Sequence, residues 1–70
     1  MNSTMVHDVE VKVGDNVAFK SDIEQWARIV EIKKTYAGVA LVLENKHGFS
    51  GDYIGGETIT TVLARDCWAD

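Results

Sequence analysis

The chain has no proline, a single cysteine (Cys67), and no apolar run longer than Val39-Ala40-Leu41-Val42-Leu43. One cysteine excludes an internal disulfide, so nothing covalent staples the core, and such usage suits a reducing compartment. Without proline there is no rigid hinge. The longest apolar run falls far short of the ~20 residues that cross a bilayer as a helix. The amino terminus also lacks the basic and apolar regions of a secretory signal. The expectation is a cytoplasmic protein with no membrane association. Basic charge is scarce as well: seven Lys and Arg face eleven Asp and Glu, for a net charge of −4. That balance opposes approach to a phosphate backbone unless the basic residues collect on one face.

What the chain does have is enough apolar material for one domain. Seventy residues with 46% hydrophobic content and 26% charged residues of both signs describe a folded globular chain rather than a disordered one. The length is near the lower limit for a single core, so one domain over residues 1–70 is expected. Met1 to Met5 show no periodicity and read as a mobile tail. Val9, Val11, Val13, Val17 and Phe19 keep one parity through Gly14-Asp15-Asn16. Residues of one parity share a face of a strand, so these five are expected toward the core. Gly14 tolerates positive φ, and Asp15 and Asn16 can hydrogen-bond nearby amides, which gives the bend a physical cause.

Ser21-Asp22-Ile23-Glu24 has the capping-box pattern, but only Gln25 and Trp26 separate it from the β-branched run Ile29-Val30-Glu31-Ile32. It predicts at most one helical turn or a loop before a strand from Trp26 to Lys33. Lys33 to Gly38 is a polar connection, and Val39 to Leu43 is expected to pair back as a hairpin. Gly48, Gly51, Gly55 and Gly56 make Phe49 to Glu57 an irregular segment over one end of the fold. Thr58 to Leu63 is rich in β-branched residues and predicts another strand. Asp66-Cys67-Trp68 is expected as a short closing strand or a helical turn. The fold class is therefore all-β, a small barrel of about five short strands whose closure removes exposed edges.

The segment Val13-Gly14-Asp15-x-Val17, followed by Ile29-Val30-x-Ile32, resembles the opening of SH3-like barrels of the KOW and Tudor type. Gly-Asp turns open many barrels, and the functions of those families do not transfer with the fold. Gly48-Phe49-Ser50-Gly51-Asp52-Tyr53-Ile54, with Thr58 and Asp66-Cys67-Trp68, is similar to small uncharacterised proteins of tailed bacteriophages, over nearly the whole chain from Val11. That resemblance implies a host-cell setting and carries no assigned activity across.

No catalytic or metal-ligating pattern stands out. His7, His47 and Cys67 have no ligand spacing, and no cofactor is expected. Cys67 lies beside Asp66, whose charge disfavours a thiolate, so a structural role is expected. Asp22, Glu24, Asp52, Glu57 and Asp66 read as solvated loop acids, and the glycines lack the Gly-Lys-Ser/Thr that a phosphate loop needs. A non-enzyme is expected. The candidate binding residues are Trp26, Tyr36, Phe49, Asp52, Tyr53 and Trp68, gathered at a barrel mouth to grip a protein partner or its cationic side chain. The bland reading of the same aromatics is core and lid packing. Lys33, Lys34 and Tyr36 form the alternative, an RNA or DNA surface in which the ring stacks on a base. The apolar content also fits a symmetric homodimer that buries an exposed strand or aromatic patch.

Overall fold

In a computed structural model, which describes residues 1–69, alternation of apolar and polar residues is resolved into seven strands. They are β1 (Ser3–Val6), β2 (Val9–Lys12), β3 (Asn16–Ser21), β4 (Ile23–Thr35), β5 (Gly38–Glu44), β6 (Ile59–Leu63) and β7 (Cys67–Trp68). A 3-10 turn, Ala64–Asp66, joins β6 to β7. β1 and β2 form a two-stranded sheet, and the other five form an antiparallel sheet in the order β6-β5-β4-β3-β7. The all-β class expected from the sequence is the class observed, with one short helical turn.

Met1 to Met5 do not read as a tail here, because Ser3–Val6 pairs with Val9–Lys12 in a hairpin. His7 (φ 48°) and Asp8 (φ 70°) make its two-residue turn in the left-handed region, a conformation in which His and Asp are enriched among non-glycine residues. The chain then bends at Gly14 (φ 101°), as its sequence predicts. The Lys12 amide donates to Asp15 Oδ2 at 3.0 Å, and the Asp15 amide donates to the Lys12 carbonyl at 2.9 Å. The same turn holds β4: Gly14 N–H donates to the Ile29 carbonyl, and Ile29 N–H donates to the Asp15 carbonyl, each at 2.8 Å. Of the five residues expected inward, Val11, Val17 and Phe19 are buried, whereas Val9 and Val13 are exposed. Val9, beside the hairpin turn and opposite the buried Val6, is 37% exposed, and Val13 lies past the last residue of β2.

Ser21 to Glu24 forms no helical turn. Asp22 alone, at φ 59°, connects β3 to β4. β4 is longer than expected, thirteen residues, and it changes face once. Gln25, Ala27 and Ile29 point into the core up to a register shift between Ile29 and Glu31, after which Ile32 does. A bulge inserts one unpaired residue and so switches the inward parity from odd to even. The core gathers Val6, Val11, Val17, Phe19, Ile29, Ile32, Leu41, Leu43, Phe49 and Cys67. Phe19 and Phe49 meet edge to face with centroids 5.7 Å apart.

Candidate functional site

The loop from Asn45 to Thr58 gets its shape from the strands it covers. Gln25, nearly buried on the inner face of β4, donates through Nε2 to the Ser50 carbonyl at 3.1 Å. Its Oε1 accepts from the Ser50 amide at 3.0 Å. Both ends of one side-chain amide are thereby spent on one loop residue, satisfying a polar group that burial would otherwise penalise. Asp22 reaches across from the β3–β4 turn and accepts from the Asp52 amide through Oδ2 at 3.1 Å. Gly51 (φ 93°) has no room for a side chain, since a Cβ there would run into the Asp22 carboxylate. Phe49 is joined to the far limb of the loop by its amide to the Glu57 carbonyl at 2.7 Å, and the Gly56 amide donates to the Phe49 carbonyl at 2.9 Å.

This arrangement divides the six residues expected at one mouth. Phe49 is in the core, only 4% exposed, and presents no ring to a partner. Asp52 and Tyr53 are exposed on the loop beside the β3–β4 turn. Tyr36 is fully exposed at the opposite end of β4, in the turn to β5. Trp26 and Trp68 belong to a third place, the outward face of the large sheet. Ala18 is registered against Trp26 on one side and against Trp68 on the other. Residues directly opposite in antiparallel strands share a face. Ala18 alternates with the core residues Val17 and Phe19, so the row Trp26, Ala18, Trp68 lies on the outer face. Ala18 is nonetheless completely buried there, flanked by two indoles, while Trp26 remains 43% exposed and Trp68 is half-buried.

Beside Trp26 runs a shallow groove whose rim includes Asn16, Arg28, Glu44, Lys46 and His47. Arg28 Nη2 donates to Glu44 Oε1 at 3.2 Å across a ladder pair, on a surface where such a bridge contributes little stability. Its importance is positional, because it holds a guanidinium near an exposed indole. Arg28, Lys46 and His47 were not foreseen as companions of Trp26. Residues 28 and 26 share a strand face by simple alternation, but the return of Asn45 to His47 to that face depends on the β5–β6 loop.

At the other end, Lys33, Lys34 and Tyr36 line one open hollow together with Thr35. The expected basic and aromatic cluster is thus brought together at the hairpin tip. Cys67 is fully buried beside Phe19, and its Sγ donates to the Leu63 carbonyl at 3.5 Å. Burial, with a smaller contribution from the Asp66 charge, pushes its thiol pKa up to about 11. A thiol held neutral in this way is a packing group rather than a nucleophile. Among the described residues no three of His, Cys, Asp and Glu gather as a metal site. Among the same residues no helix is long and apolar enough to cross a membrane. Compared with known proteins, the chain matches no family model, no curated protein and no solved structure.

Proposed function

We propose that the chain is a non-catalytic binding module on an SH3-like scaffold, which grips a protein partner through the outward sheet face of Trp26 and Trp68. The observation that carries this reading is the row Trp26, Ala18, Trp68: two indoles on one face, one of them 43% exposed, with Arg28 along the same strand. Trp and Arg are the side chains most enriched where binding energy concentrates in protein interfaces. Rigid strands also hold the two rings in place before binding, which lowers the entropy lost on association. The aromatic face replaces the single mouth as the grip, with Asp52 and Tyr53 as a separate exposed loop. The similarity to small tailed-phage proteins supports a host protein, met in the host cytoplasm, as the partner.

A second reading has its own observation. Lys33, Lys34 and the fully exposed Tyr36 line one hollow, which suits a phosphate backbone with a stacked base. Capture from host lysate, with and without nuclease, separates the two. In the first reading a nuclease-resistant protein is retained, and Trp26→Ala weakens its capture by about 30-fold or more, the usual loss at a central Trp. Lys34→Ala with Tyr36→Ala leaves that capture unchanged. Retention that disappears with nuclease and with the Lys34/Tyr36 pair, and that ignores Trp26→Ala, overturns it in favour of nucleic acid.

A further inference from the structure

The groove beside Trp26 differs in charge from the rest of the molecule. It holds about 420 Å³, within the range of natural ligand clefts. One ladder row contributes Asn16 from β3, Arg28 from β4 and Glu44 from β5, and the turn after β5 brings Lys46 and His47 to the rim. Of the acids among the described residues, only Glu44 lines it. That carboxylate is already engaged by Arg28 at 3.2 Å, and Lys46 forms no ion pair among the described residues. Arg28 and Lys46 against one carboxylate leave the groove a net positive charge, on a chain whose formal net charge is −4. Glu24, the other charge next to Trp26 on the outer face of β4, is registered against Lys20 and lies outside the groove.

The acids that the sequence suggested as companions of the aromatic residues are elsewhere: Asp22 is spent on the Asp52 amide, and Asp52 belongs to the β5–β6 loop. A cationic side chain approaching Trp26 through the groove therefore meets Arg28 and Lys46, whereas a carboxylate meets donors. Arg28 spends one N–H on Glu44, and a guanidinium has five. The exposed Asn16 carboxamide, able both to donate and to accept, suits the amides of a peptide. A nucleic acid is matched less well, because it is held by neutralising several phosphates, and this groove offers one net charge beside a carboxylate. We infer that the partner presents an acidic segment to this face, with an apolar side chain on the Trp26 indole and flanking carboxylates on Lys46 and the remaining donors of Arg28. This rests on the reading of Trp26 as part of a protein-binding face, and it reverses the sign expected from the sequence, a cationic side chain held by aromatic rings and Asp52.

The test is titration of the full chain with two short capped peptides, glutamate-rich or lysine-rich around one central leucine, and with oligothymidylate, read by amide and indole chemical shifts. The glutamate peptide is expected to bind at least about tenfold more tightly than the lysine peptide, with shifts at Trp26, Arg28, Lys46 and His47. Its affinity falls as salt rises. Lys46→Glu, in an exposed turn, weakens it by about tenfold, while Lys33→Glu, the same change in net charge at the far end of β4, leaves it within about twofold. Equal losses from the two reversals overturn the inference, since net charge rather than the groove would then supply the attraction. Preference for oligothymidylate overturns it too. Preference for the lysine peptide at Trp26 overturns the acidic partner and leaves the protein-binding reading standing. If neither peptide shifts the groove up to about 1 mM, the acidic segment is rejected, and the dependence of lysate capture on Trp26 decides the protein-binding reading independently.

Discussion

The two ends of β4 are built differently. At the Ile23 end, Gln25 and Asp22 lock the long β5–β6 loop to the sheet through side chain to backbone hydrogen bonds with Ser50 and Asp52, with Phe49 driven into the core beneath. At the Thr35 end, the hairpin tip is a short turn: Thr35 Oγ1 donates to the Gly38 carbonyl at 2.8 Å, and Arg65 Nη1 donates to the Ala37 carbonyl at 2.9 Å. Tyr36 there touches solvent on every side. One strand thus connects a packed, polar-clamped end to an end whose side chains are free to meet something else. Aromatic content alone does not distinguish them, since each end has an aromatic within its connection.

Mutation breaks this contrast in a graded way. Phe49→Ala removes a ring from the core and is expected to cost about 3–5 kcal/mol, a large share of the stability of a chain this small. Urea denaturation is the measurement, and a loss below 1 kcal/mol would mean that the loop is not a structural part of the core. Cys67, packed against Phe19, adds a pH arm. Its folded pKa of about 11 lies above the ordinary 9.0, so its stabilisation is complete below pH 9 and is lost as pH rises to 11. Relative to Cys67→Ala, the parent protein is expected to lose up to about 2–3 kcal/mol across that window. Parallel pH profiles for the two proteins would show instead that the thiol is not shielded.

Gly51→Ala is expected to cost about 1–3 kcal/mol, from a left-handed backbone and a collision with Asp22. With Asp22→Gly already in place the collision is gone, and the cost falls to the left-handed term, about 1–2 kcal/mol. A double-mutant cycle with no coupling would sever the proposed contact between turn and loop. Tyr36→Ala, at the free end, is expected to move stability by less than about 0.5 kcal/mol. A larger loss on thermal melting would show that the hairpin tip is as tightly built as the other end.

Much of this was legible from residue order. Of the five valine and phenylalanine positions expected inward by alternation, Val11, Val17 and Phe19 are buried. The Gly14 bend and the Val39 to Leu43 hairpin are where the sequence predicts them, and at Asp66 to Trp68, expected as a closing strand or a helical turn, Asp66 ends the 3-10 turn and Cys67–Trp68 is the strand. The amino-terminal hairpin was missed because His7-Asp8 adopts a turn more often made by Asn-Gly, a weaker signal in sequence. The bulge in β4 was missed too, because one unpaired residue leaves no mark on composition.

The candidate binding residues were less legible than the core. Exposure of Trp26, burial of Phe49 and the separation of Tyr36 from Tyr53 all depend on which strand lies opposite which. Sequence by itself determined the all-β class, the inward parity of Val11, Val17 and Phe19 and the packing role of Cys67, because alternation and local charge act over a few residues. Only the tertiary structure decided that Ala18 lies between two indoles, that Asp22 is a clamp rather than a free acid, and that β6 is an edge. Those facts are long-range pairings, set by register between strands distant in sequence, and no local propensity encodes them.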